Sequence, residues 1–108
     1  MSLHLLENVC AELKACQAIG SSREFCESWL ARDESYMRVL RFHSKPPSAG
    51  ALATLASKLG YYAVQFGKTG RQDHAILAQR LDHLRDLCQD SIEVQARAQW
   101  MTPERMGM

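Results

Sequence analysis

No stretch of this chain approaches the roughly 18 consecutive apolar residues of a membrane-spanning helix, so that class is excluded. The first residues lack a basic segment followed by a continuous apolar block. No secretion signal is therefore expected, and the protein is expected in the cytoplasm. Cys10, Cys16, Cys26 and Cys88 have neither C-x-x-C spacing nor a nearby histidine pair, which argues against zinc. Each lies on or beside a helical apolar stripe, where a reduced cysteine packs as a small hydrophobe. Catalytic patterns are missing too: G-x-S-x-G, H-E-x-x-H and Gly-rich nucleotide loops do not occur. The Gly67–Gly70 stretch lacks the G-x-x-x-x-G-K-[ST] spacing of a phosphate loop. His74 and His83 lie about two and a half turns apart on a helix and point to opposite sides. His4 and His43 have no partner spacing either. Neither an enzyme nor a cofactor is expected.

Charge of one sign is also scarce. The net charge of 108 residues is +1, weak for a nucleic-acid binder, but its distribution is uneven. From Arg32 to Lys58, five basic residues (Arg32, Arg38, Arg41, Lys45, Lys58) face two acidic ones (Asp33, Glu34). A basic patch on a near-neutral chain fits a small DNA-binding face, or an ordinary solvated surface.

What the chain has is helical periodicity. Hydrophobic residues make up 46%, enough for one ordinary globular core at this length. Leu3, Leu6, Val9, Cys10, Leu13, Cys16 and Ala18 recur at spacings of three and four, which predicts a first helix ending at Gly20. Ser21 and Glu24 match the S-x-x-E capping box, and Phe25, Cys26, Trp29 and Leu30 give the second helix its buried face. Asp33 is the next N-cap candidate. Met37, Leu40 and Val39 are candidates to point inward from the third helix, with Ser35, Tyr36, Arg38 and Arg41 on the other side or its flanks. Pro46 and Pro47 stop this helix.

Ser48 caps a fourth helix with Leu52, Leu55, Ala56 and Leu59 on one face, and Gly60 is read as its C-terminal glycine. For Tyr61 to Phe66 two readings stay open, a short helix closing the core or a strand-like connector. A long helix is predicted from Gln72 to Ala98. Its Leu77, Leu81, Leu84 and Cys88 step by four, three and four, a heptad-like seam for homodimerisation or for packing within the monomer. Residues 101–108 read as a tail.

The stretch Ser21–Gly60 resembles the lambda-repressor/Cro-like (Xre-type) helix-turn-helix domains of bacteria and phages. The features that carry the likeness are the capped second helix (Ser21 to Glu24), Ser35-Tyr36-Met37 opening the recognition helix, Pro47-Ser48, and Leu52 through Leu59-Gly60. The turn is longer than the family's usual one and carries Leu30-Ala31-Arg32 where a small residue is common. The resemblance implies an all-α, compact helix-turn-helix bundle of four to five helices plus a long C-terminal helix. Residues 1–66 would form the DNA-binding-like domain and 67–100 the C-terminal helix. It further implies that Ser35, Tyr36, Arg38 and Arg41 face the major groove of double-stranded DNA. Ser22 and Arg23 would sit over a phosphate, with His43 and Lys45 flanking the backbone. The expected function is that of a sequence-specific DNA-binding transcriptional regulator, acting as a homodimer. The alternative is an interaction module that keeps the scaffold and binds another protein, as small antiactivators, antitoxins and phage-type inhibitors do. The weak overall charge and the aromatic Tyr61–Phe66 segment favour that second class.

Overall fold

The computed structural model describes residues 2–107, with side chains from Leu3 onward. It is an all-α bundle, with no strand among the described residues. Helix α1 (Ser2–Ala15) buries Leu6, Val9, Cys10 and Leu13. It ends earlier than expected. Gln17 takes left-handed backbone at φ 64°, and the Ala18 N–H returns to the Leu13 carbonyl at 2.9 Å. The turn that stops α1 is thus made at Gln17, and Gly20 serves the next helix instead. Its N–H donates to Glu24 Oε1 at 2.9 Å, while the Glu24 N–H donates to Ser21 Oγ at 3.1 Å. Ser21 caps as the sequence predicts, and Glu24 reaches back one residue beyond it.

Helix α2 (Ser22–Glu24) is a single turn that widens at once into a π-helical segment, Phe25–Trp29, where the Leu30 N–H bonds the Phe25 carbonyl. This segment turns Phe25, Cys26, Trp29 and Leu30 into the core together. Ala31, at φ 55°, then reverses the chain. Helix α3 (Tyr36–His43) follows, anchored by buried Met37 and Leu40. Val39 does not point inward: it is 45% exposed. Asp33 does not cap α3 directly but accepts from the Ser35 N–H and hydroxyl in the turn before it. The helix stops at Ser44, in left-handed backbone at φ 51°, before the prolines are reached. Pro47 is instead fully buried.

Helix α4 (Ala49–Gly67) begins at Ser48, whose Oγ accepts the Ala51 N–H at 3.1 Å, as expected of an N-cap. Leu52, Leu55, Ala56 and Leu59 form its buried face, and Ala63 extends it. Gly60 does not end the helix. A β-carbon there would lie 3.1 Å from Arg85 Cδ, so the glycine marks a close approach of the next helix. Tyr61 to Phe66 continue the same helix, which settles the two open readings in favour of helix.

Helix α5 (Gln72–Trp100) is about 43 Å long at 1.5 Å per residue and folds back along α4. Leu81, Leu84 and Cys88 are buried in the same core as Leu6 and Leu55, with half-buried Leu77 packed against it. The seam offered for dimerisation is therefore filled from within the chain. For the same reason the division at residue 67 separates a loop, not two cores. Near its far end, Gln95 Nε2 donates to the Pro47 carbonyl at 2.7 Å and pins α5 to the α3–α4 junction. Among the described residues no helix is long and apolar enough to cross a membrane.

Candidate nucleic-acid interface

Helix α3 has only eight residues, and at about 100° per residue its inward direction is set by Met37 and Leu40. The residues opposite are Ser35, Arg38, Val39 and Phe42, which share one outward face. Ser35 is half-buried at its start, Arg38 and Val39 are exposed, and Phe42 is 82% exposed. The Phe42 ring therefore lies outside the hydrophobic core.

The two flanks of α3 are tied to the scaffold. On one side, the Tyr36 hydroxyl accepts the Ser48 N–H at 3.0 Å, and the Arg32 guanidinium lies over the Tyr36 ring at 5.7 Å. Arg32 Nη2 also reaches Ser48 Oγ at 3.3 Å, so the start of α4 and the start of α3 share one polar junction. On the other side, Arg41 Nη2 pairs with Glu7 Oε2 of α1 at 2.9 Å. Tyr36 and Arg41, expected to face a groove, are thus turned sideways and hold the helix in place.

The remaining expected contacts divide in the same way. Arg23 pairs with Glu34 at 2.9 Å and Glu27 at 3.4 Å, and Ser22 Oγ accepts from Lys14 Nζ at 3.1 Å. The Ser35 hydroxyl donates to Asp33, which holds that carboxyl below the usual carboxylate range, helped by the charge of Arg38. By contrast, the side chains of Arg38 and Lys45 have no hydrogen bond or ion pair among the described residues. His43 is held only by an edge-on contact with the Phe42 ring at 5.0 Å. Of the residues expected to meet DNA, the cations left for a partner are therefore Arg38, Lys45 and, when protonated, His43, all on or just beyond α3.

Val39 and Phe42 are absent from the contacts expected from sequence. The signal that could have found them is angular: fixing Met37 and Leu40 as inward leaves 35, 38, 39 and 42 as the opposite face. A second concavity of about 360 Å³ lies where α1, the π-helical segment and α4 meet α5. Leu13, Cys16, Trp29, Tyr62 and Phe66 line it, with Lys58 Nζ 4.7 Å above the Trp29 ring. Cys16 opens to solvent there, unlike the buried Cys10, Cys26 and Cys88. The expectation that every cysteine packs as core fails at this one position, because α1 ends before it. Among the described residues no three His, Cys, Asp or Glu side chains gather to hold a metal ion.

No curated protein and no solved structure matches the chain. Residues 6–101 match a family of unknown function, DUF6626, and the chain, nearly all of which lies in that match, belongs to this family.

Proposed function

We propose that this chain is a sequence-specific DNA-binding regulator that reads the major groove with α3. One observation carries the reading: Arg38, Val39 and Phe42 on the outward face of α3 are exposed, while both flanks of the helix are tied to neighbouring elements. A reading helix needs this combination, since base contacts give specificity only if the side chains are held in register with the duplex. Arg38 is the residue for a bidentate contact to guanine O6 and N7. Lys45, together with His43 in its protonated form, supplies phosphate contacts beyond the C-terminal end of α3. Arg23 and Arg41, already neutralised by carboxylates, position the scaffold rather than the DNA.

The homodimer expected from the heptad-like seam requires a different surface, because Leu81, Leu84 and Cys88 lie in the monomer core. A second reading, a protein partner docking on the same face, is favoured by the 82% exposure of Phe42 and by a net charge of only +1. Selection from a pool of random duplex DNA separates the two. The DNA reading expects enrichment of a motif by the wild-type chain and its loss in Arg38→Glu. Retention of no duplex at low salt by the folded chain overturns it in favour of the protein partner.

A further inference from the structure

We infer that Val39 and Phe42 recognise the 5-methyl group of thymine, so that the bound site pairs a guanine for Arg38 with a nearby thymine for Phe42. The inference rests on the DNA-binding reading and deepens it. Val39 is 45% and Phe42 82% exposed on the face that also carries Arg38. In the major groove, an apolar side chain can distinguish thymine by its methyl group, the one methyl on a base edge there. Polar side chains read the other edges. A face that alternates a cation with two apolar groups therefore matches a mixed guanine–thymine surface.

Spacing narrows the site further. Arg38 and Phe42 are one turn apart, about 6 Å along α3 at 1.5 Å per residue. Successive base pairs rise about 3.4 Å, so the guanine and the thymine are expected one or two base pairs apart. The surrounding charge supports DNA as the occupant of this apolar pair. Arg38 and Lys45 are cationic and unpaired among the described residues, and His43 touches the Phe42 ring. Two side chains on an eight-residue helix also offer far less area than the roughly 800 Å² per partner of a standard protein interface. A methyl contact needs only local burial.

The test uses the full chain and the duplex it selects, with each thymine replaced in turn by uracil, which differs only in lacking the methyl group. At one position or two adjacent ones, uracil is expected to weaken binding about fourfold, the equivalent of about 0.8 kcal/mol for one buried methyl-sized group. Phe42→Ala is expected to lose the discrimination at the thymine Phe42 reads, and the double variant Val39→Ala/Phe42→Ala at every position, with Phe42→Ala melting at the wild-type temperature because the ring is outside the core. Equal affinity of the wild-type chain for thymine and uracil at every position overturns this inference alone. So does a Val39→Ala/Phe42→Ala double variant that keeps the discrimination. No binding of any duplex at low salt overturns the DNA-binding reading and this inference with it.

Discussion

At φ 55°, Ala31 occupies left-handed backbone, which costs a residue with a β-carbon roughly 1–2 kcal/mol relative to its ordinary conformations. It sits in the turn between the π-helical segment and α3, where the Arg32 N–H closes on the Cys26 carbonyl at 2.9 Å. Its side chain is exposed and contributes no core packing. Ala31→Gly is therefore expected to stabilise the fold by about 1 kcal/mol, read as a higher urea midpoint with an unchanged slope. Cys88 makes a second prediction at this scale. Burial pushes its thiol up to about 11. The unfolded chain releases this proton at lower pH, so between about pH 9 and about pH 11 the folded state holds more protons and stability falls as pH rises. Cys88→Ala, though less stable near neutrality because of the cavity, is expected to lose that part of the slope. The two unfolding curves measured from about pH 8 to about pH 11 check this.

Among the elements, α3 depends on ties that local sequence does not carry. The Tyr36 hydroxyl bonds a residue 12 positions away, and Arg41 pairs with one 34 positions away. No pattern within the helix encodes these contacts, which is why Tyr36 and Arg41 read as groove-facing residues from sequence. Tyr36→Phe is expected to cost about 1 kcal/mol of stability through the lost hydrogen bond to Ser48. Its DNA affinity is expected to stay within about twofold of wild type, a shift small against the tenfold that 1.4 kcal/mol would bring. A large loss of affinity with unchanged stability would return Tyr36 to the groove. The helix starts were legible, because a capping serine acts through its own next turn, as Ser21 and Ser48 do. The helix ends were not. Gly20 and Gly60 carry the residue type of a C-terminus, but α1 is stopped by the turn at Gln17 and α4 runs on to Gly67. Gly60 answers instead to Arg85 on a helix that sequence spacing cannot bring alongside. The seam on α5 was legible as apolar, yet periodicity does not say whether its partner is α4 or a second chain. Leu84→Ala is expected to cost about 2–5 kcal/mol as a core truncation. That loss should be independent of protein concentration, which an intermolecular seam would not allow.

For the whole molecule, the long α5 and the small bundle make one body held by a single core. Fold class was readable from periodicity because α1, the π-helical segment, α3, α4 and α5 each bury a stripe in that core. The binding face was less readable, since it is defined by what the core leaves out. Across this surface the charges largely cancel, as the net charge of +1 requires, and several arginines are paired with carboxylates. Arg38 and Lys45, on and just beyond α3, are among the cations with no hydrogen bond or ion pair among the described residues, and Lys68 after α4 is another. Steering by overall charge is therefore weak, and affinity for DNA has to come from the local contacts of α3 and the residues just after it.

The most direct measurement is the affinity of the wild-type chain and of Arg38→Glu for the selected duplex, followed by fluorescence anisotropy across a series of salt concentrations. For the wild-type chain, log affinity is expected to fall linearly with log salt, with a slope of about −0.9 for each phosphate neutralised. Arg38→Glu is expected to melt normally and to lose discrimination between the selected duplex and a scrambled one. Wild-type affinity that is absent, or that discriminates equally well after Arg38→Glu, would contradict the assignment of α3 as a DNA-reading helix.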